Sequence, residues 1–120
     1  MAEKMAVVCN GDTPANIMPT LIFSNSGLAL DYEVHIFVCP AGARWMLKGE
    51  LEKLGTPKGL PNPVKLFNDV LELGGEIVLC ELARENKDIK PEDLRDSRII
   101  IEKAPPFLMT AEGATMTYSF

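Results

Sequence analysis

The sequence predicts an α/β fold, a three-layer α/β/α sandwich with a mostly parallel five-stranded sheet. Short apolar runs alternate with segments of helical spacing, and glycines and prolines punctuate the chain between them. Most of the apolar runs are continuous, which is typical of strands buried on both faces. A chain that alternates strands and helices favours parallel strands, right-handed crossovers and helices on both faces of the sheet.

Five stretches have the composition of strands. They cover residues 5–10, 32–39, 77–79, 98–102 and 114–120. The second is rich in β-branched and aromatic residues, which pack well on a pleated surface. The last stretch alternates apolar and polar residues, so it predicts a strand with a single apolar face.

Helices are predicted over residues 21–30, 41–54, 64–73, within 81–96, and over 104–112. Ahead of the first, Asp12 or Thr13 can serve as an N-cap, but Pro19 is expected to kink or restart the helix. Residues 41–54 carry leucines on one helical stripe and a Lys48–Glu52 pair at i,i+4 spacing. Asn62 and Pro63 are an N-cap and a first helical residue for segment 64–73.

Length, charge and termini restrict the class of protein. Residues 1–120 are enough for one domain with a real core. A net charge of -5 argues against nucleic acid or an anionic membrane as partner. The start lacks the apolar region of a signal peptide, and no run reaches membrane-spanning length. We therefore expect a cytoplasmic protein.

Several kinds of site have no support in the sequence. Three cysteines without a C-x-x-C motif indicate neither a disulfide framework nor a zinc ribbon. His35 is the sole histidine and lies within a strand-like run, so a Cys–His protease is disfavoured and His35 is interpreted as a packed or interface residue. Because no phosphate-binding loop is present, a nucleotide or flavin domain is disfavoured. No cofactor and no metal are expected.

The three cysteines share one structural position. Cys9, Cys39 and Cys80 each end a predicted parallel strand, and such ends meet at one edge of the sheet, where ligands bind. Cys80 follows a buried run and precedes a helix-forming segment, whose N–H groups can stabilise a thiolate, although Glu81 opposes this. We interpret Cys9 and Cys39 as packing residues and Cys80 as the candidate catalytic thiol.

Four stretches in this order resemble the DsrE/DsrF-like (YchN/TusD-related) sulfur-trafficking family. They are LALDYEV at 28–34 running into Ile36-Phe37, GGEIVLC at 74–80, KPEDL at 90–94 and ATMTYSF at 114–120. The resemblance implies a compact α/β/α fold assembled as trimers or hexamers. It also implies that Cys80 carries a persulfide, received from a sulfur donor and passed to an acceptor protein. Some relatives carry a second cysteine shortly afterwards, which residues 81–96 lack.

Two functions remain open from the sequence. The first is a sulfur-relay protein that carries a persulfide on Cys80, closer to a carrier than to an enzyme with its own turnover. The second is a catalytically inert oligomeric assembly or ligand-binding subunit in which Cys80 is merely buried. In either case a homotrimer or homohexamer is expected. Trp45, Met46, Tyr118 and Phe120 lie on elements that could form an outer apolar surface.

Overall fold

The computed structural model describes residues 2–120 and contains the predicted sheet. Its five strands, all parallel, are β1 (Lys4–Cys9), β2 (Glu33–Val38), β3 (Glu76–Cys80), β4 (Ile100–Glu102) and β5 (Met116–Ser119). Their spatial order is β4-β3-β2-β1-β5. The α/β class and the three layers are confirmed, and the sheet within residues 2–120 is parallel throughout.

Four α-helices accompany the sheet in the part of the chain that the structure describes. They are α1 (Pro14–Ala29), α2 (Pro63–Glu72), α3 (Leu82–Asn86) and α4 (Ala104–Ala111), with 3-10 segments at Pro40–Met46, Leu51–Leu54 and Pro91–Asp93. Asn62 caps α2 as expected, because its side chain accepts a hydrogen bond from the Lys65 N–H at 3.1 Å. Helix α4 also lies where the sequence predicted it.

The order of the strands decides which face each helix covers. From β1 to β4 the chain steps along the sheet in one direction, whereas β4 to β5 returns to the far edge. Since parallel crossovers are right-handed, the reversal puts α4 on the opposite face from α1 and α2. The sheet is thus covered by several segments on one side and by a single two-turn helix on the other.

Two clusters of apolar side chains follow from this arrangement. The larger unites alternate residues of β1, β2 and β3 with α1, α2 and the segment Pro40–Met46. The smaller consists of Phe37, Val78, Cys80 and Phe107, on the α4 side of the sheet. The rings of Phe37 and Phe107 lie 4.9 Å apart, so an aromatic contact joins the middle of α4 to the sheet.

Helix α1 corrects the expectation that Pro19 would divide it. The helix runs without a break from Pro14 to Ala29. Thr13 begins it, and both its N–H and its hydroxyl donate to the Asn16 Oδ1. Pro19 removes one backbone donor, but burial of the inner face of the helix against the main cluster outweighs that loss.

The predicted helix over residues 41–54 is wrong. Two short 3-10 segments replace it, separated by an extended Leu47 and a turn with Gly49 at a φ of 78°. Leu47 forms a β-bridge with Leu94 instead of continuing the leucine stripe. Glu52 pairs with Arg95 at 2.8 Å rather than with Lys48. Backbone pairing across the chain therefore outweighs helical spacing here.

Trp45 and Met46 are not part of an outer surface. Both are buried in the main cluster, where the Trp45 ring meets the Phe67 ring edge-on at 6.1 Å. Tyr118 and Phe120 are half-buried at the β5 edge, where both contact Phe23. Separately, none of the helices within residues 2–120 has the length and apolar character needed to cross a bilayer.

Candidate functional site

Cys80 occupies the last position of β3, at the carboxyl edge of the sheet. It pairs with Glu102 of β4 and is followed by the turn that begins α3. Only 5% of the residue is exposed, and it packs with Phe37, Val78 and Phe107 in the smaller cluster. Cys80 therefore lies at the end of a buried strand, as the sequence predicted. Its neighbours on the sheet are apolar side chains.

A cavity of about 750 Å³ opens beside Cys80. That volume falls in the range typical of small-molecule sites, roughly 300–1,000 Å³. The cavity lies between the β3–α3 turn and the start of α4, and its remaining lining comes from Glu81, Leu82, Arg84, Glu85, Ile89, Lys103, Ala104 and Pro105. Cys80 is the one thiol of this lining, so it is the cysteine that a reagent inside the cavity can reach.

The charges around the cavity are mixed. Glu81 and Glu85 carry negative charge, Arg84 and Lys103 carry positive charge, and the Lys103 Nζ lies 4.0 Å from the Glu81 Oε2. Lys103 thereby offsets the carboxylate that the sequence placed next to the thiol. The sequence led us to expect that N–H groups of this turn stabilise the Cys80 sulfur. The Glu81 N–H instead donates to the Glu102 carbonyl at 2.9 Å, so it is not available to the sulfur.

The structure brings Cys39 to Cys80 and keeps Cys9 apart. Val38 of β2 pairs with Leu79 of β3. Cys39 and Cys80 directly follow these two residues, so they lie side by side at the ends of neighbouring strands. Both belong to the smaller cluster, whereas Cys9 belongs to the larger one on the other face. The three cysteines therefore share an edge, as predicted, but two of them share a face.

Cys9 is a packed thiol with polar neighbours. It is fully buried, and its Sγ lies 3.4 Å from the Gly11 carbonyl and 3.6 Å from that of Asn16. Burial is the main cause that raises the pKa of this thiol. The burial of Cys9 supports its interpretation as a packing residue, which stays a prediction.

Cys39 differs from Cys9 in its exposure, because it is only half-buried. Its pKa is raised first by burial and then by the negative charge of an ionised Cys80, with a smaller effect of Cys9. The interpretation of Cys39 as a packing residue does not take into account that a second thiol, Cys80, lies beside it on the same face.

A second polar cluster lies at the amino edge of the sheet. His35 is 9% exposed and contacts two carboxylates, Glu33 at 2.6 Å through Nε2 and Glu76 at 3.0 Å through Nδ1. Lys4 lies 3.7 Å from the same Glu33 oxygen. Sequence reasoning placed His35 in a packed position but missed its partners. The Glu33-x-His35 spacing, which puts both side chains on one face of a strand, was the available signal.

Within residues 2–120, no three His, Cys, Asp or Glu residues lie close enough to hold a metal ion together.

Comparison with known sequences gives one partial match and no family model. No protein-family model matches the chain. An uncharacterized protein of Methanocaldococcus jannaschii is 32% identical over 89 residues, which cover 74% of this chain but 32% of that protein. The chain thus spans about a third of the length of the curated relative it matches.

Comparison with solved structures identifies the fold. The YchN protein of E. coli superimposes with a TM-score of 0.78 over 98% of this chain and 99% of the YchN chain, at 15% identity. A conserved protein of unknown function from Bacteroides thetaiotaomicron gives a TM-score of 0.68 over 98% of this chain and 95% of its own, at 12% identity. The fold is that of YchN, so the DsrE-like fold expected from the sequence is confirmed.

Proposed function

We propose that the protein is a sulfur carrier that holds a persulfide on Cys80. The observation that carries the proposal is the thiol itself, nearly buried yet lining a cavity of about 750 Å³ at the carboxyl edge of a YchN-like fold. A persulfide needs access for its donor and shelter from thiols in solution, and a nearly buried thiol beside a cavity supports both requirements.

The proposed chemistry is a pair of sulfur transfers. The Cys80 thiolate attacks the outer sulfur of a donor persulfide, and the donor leaves as a thiolate. An acceptor thiolate of a partner protein then attacks the outer sulfur of Cys80-S-SH, and the Cys80 thiolate leaves. Lys103 and Arg84 line the cavity together with Glu81 and Glu85, so a donor or acceptor that enters it meets side chains of both charges.

Discharge to a small acceptor tests this proposal. The protein is loaded with glutathione persulfide, freed of excess donor and treated with cyanide, which removes sulfane sulfur as thiocyanate. When cyanide is added at the end of loading, before bound sulfur can leave as sulfide, the wild type should yield about one thiocyanate per chain, and Cys80→Ser should yield none. Cys9→Ser is the matched control, since Cys9 lies in the other apolar cluster. Equal thiocyanate from wild type and Cys80→Ser would refute a carrier role for Cys80.

An inert subunit of the same fold is the second candidate. The low exposure of Cys80 and its contacts with Phe37 and Phe107 favour it, because a packed thiol also looks like this. In that case Cys80 would react with a thiol reagent only after denaturation. Labelling of the native protein separates the two candidates before any sulfur chemistry is attempted.

Assembly into a closed homo-oligomer belongs to the same proposal. Among residues 2–120, five large apolar side chains are more than half exposed, namely Leu30, Leu73, Leu82, Leu108 and Met109. Two of them lie on α4, and Leu82 lines the cavity beside Cys80. Association of copies would cover part of this surface, in the way that symmetric oligomers bury self-complementary patches.

A further inference from the structure

Cys39 and Cys80 end neighbouring parallel strands in register. Val38 pairs with Leu79, so each cysteine is the next residue along its chain. Side chains alternate along a strand, and both cysteines fall on the face that carries Phe37 and Val78. Adjacent strands are separated by about 4.8 Å, which lies within the Cα separation that a disulfide spans, about 4.4–6.8 Å.

Cys39 lies just past the end of β2, and two backbone hydrogen bonds fix its main chain. Its N–H donates to the Cys9 carbonyl at 3.0 Å, and its carbonyl accepts from the Gly42 N–H at 2.8 Å. Cys80 is held at the end of β3, where it pairs with Glu102 of β4. Rotation of the two side chains, rather than movement of the backbone, would therefore bring the two sulfur atoms together.

The pKa of Cys39 follows the same arrangement. Burial raises this pKa most, and the negative charge of an ionised Cys80 raises it further. Cys9 acts on Cys39 more weakly and belongs to the opposite apolar cluster. Of the two other thiols, Cys80 is thus the partner that faces Cys39.

We propose that Cys39 is the resolving thiol of Cys80, able to close a Cys39–Cys80 disulfide when Cys80 carries a sulfane sulfur. This inference rests on the proposed persulfide function and goes beyond it, because it adds a second fate for the bound sulfur. That fate is release as hydrosulfide when no acceptor protein takes the sulfur.

The step balances without another reagent. The Cys39 thiol loses its proton and attacks the Cys80 Sγ, forming the Sγ–Sγ bond. The bond between Sγ and the outer sulfur of Cys80-S-SH breaks, and the outer sulfur leaves with the bonding pair as hydrosulfide, while the Cys39 proton passes to the solvent. The sulfane sulfur is reduced to sulfide, and the two cysteine sulfurs are oxidised to a disulfide, which an external dithiol can reduce again.

The first test follows the loaded protein. Wild type, Cys39→Ser and Cys9→Ser are loaded with glutathione persulfide, desalted, and followed by intact mass and by sulfide release. Wild type and Cys9→Ser should lose the added sulfur as sulfide and end two hydrogens lighter than the reduced chain. Cys39→Ser should keep the adduct and show no sulfide burst. Equal decay in wild type and Cys39→Ser would overturn the proposal.

The second test does not depend on sulfur loading. Diamide, an oxidant of thiol pairs, is added to the reduced wild type, and the products are mapped by proteolysis and mass spectrometry. A Cys39–Cys80 cross-link is expected in the wild type and in Cys9→Ser. A cross-link through Cys9, or none between Cys39 and Cys80, would overturn the pairing. If no protein accepts a persulfide, the carrier function fails, while the diamide result still decides whether the two thiols pair.

Discussion

At the scale of single residues, the three cysteines differ by environment rather than by sequence context. Cys9 is fully buried, Cys39 is half-buried, and Cys80 is nearly buried but lines a cavity. Burial raises the pKa of Cys9 and of Cys39. A raised pKa leaves less thiolate at neutral pH, and the thiolate is the nucleophile.

The alkylation rates should follow from this difference. In the native protein near neutral pH, Cys80 should react with iodoacetamide faster than Cys9 or Cys39. The rate at Cys39 should climb as the pH rises through its raised pKa. Cys9 should stay slow until the protein unfolds, because it is fully buried. Site-resolved mass spectrometry of samples quenched over time measures all three rates. Faster labelling of Cys9 than of Cys80 would contradict the placement of the cavity.

At the scale of single elements, the close packing of the segment Pro40–Met46 against the end of β1 requires a glycine at position 42. A Cβ added to Gly42 would lie 2.8 Å from the Gly11 carbonyl oxygen and 3.3 Å from that of Cys9. These are backbone atoms at the carboxyl end of β1, so they cannot yield without moving the strand end. The close approach keeps the chain after Cys39 packed onto the sheet.

Gly42→Ala should therefore destabilise the protein by about 1–3 kcal/mol, as overpacking commonly does. Gly27→Ala is the matched control. Its nearest contact is the flexible Met5 Cε at 2.9 Å, and alanine improves helix propensity in α1. Urea unfolding of both variants measures the difference. A Gly42→Ala loss no larger than that of Gly27→Ala would show that this contact does not constrain the segment.

Local sequence patterns predicted most of the helices and strands. They failed where the backbone forms hydrogen bonds with residues that are distant in the sequence. Helix α2 was predicted because Asn62 and Pro63 act within one turn. Residues 41–54 do not form the helix that their leucine spacing predicts. Leu47 instead forms a β-bridge with Leu94, and the Arg95 N–H donates to the Met46 carbonyl at 2.8 Å. A hydrogen-bond partner more than 40 residues away cannot be recognised from the pattern of a short stretch of sequence.

The same limit applies to the site. Placing cysteines at strand ends predicted their common edge, and the structure confirms it for Cys9, Cys39 and Cys80. Which two share a face depends on register and on where each strand ends. The cavity beside Cys80 depends further on the return of the chain from β4 to β5, which brings the start of α4 to the thiol. Neither property follows from the sequence pattern alone.

At the scale of the whole molecule, ion pairs link distant parts of the chain and respond to acid. Arg95 stacks its guanidinium 5.0 Å from the centre of the Phe67 ring and binds both oxygens of Glu52, which lowers the pKa of Glu52. Hydrogen bonds from His35 and from Arg98 likewise lower the pKa of Glu33 and of Asp96.

Stability should fall as the solution is acidified. A carboxyl group whose pKa is lower in the folded state stabilises the protein above its unfolded pKa, about 4, and loses that contribution as the pH drops through the folded value. Urea unfolding between about pH 7 and about pH 3 should show this loss, and Glu52→Gln should flatten it. Glu92→Gln is the control, since Glu92 forms no ion pair within residues 2–120. Equal slopes for wild type and Glu52→Gln would contradict a role for this pair.

The exposed apolar side chains make a prediction about assembly. If copies of the chain cover surfaces such as Leu108 and Met109, light scattering should return a multiple of the 13.2 kDa chain mass. A trimer or hexamer is the expected outcome. A mass near 13.2 kDa at micromolar concentration would contradict association.

The central claim is that Cys80, among the three cysteines, receives the sulfur. The most direct measurement is peptide-level mass spectrometry after incubation with glutathione persulfide, made in the Cys39→Ser background, where the adduct is expected to persist. The account predicts one added sulfur on the peptide that contains Cys80, none on the Cys9 peptide, and none on any peptide once Cys80→Ser is added. A sulfur on Cys9, or equal loading after Cys80→Ser in a folded protein, would contradict the account.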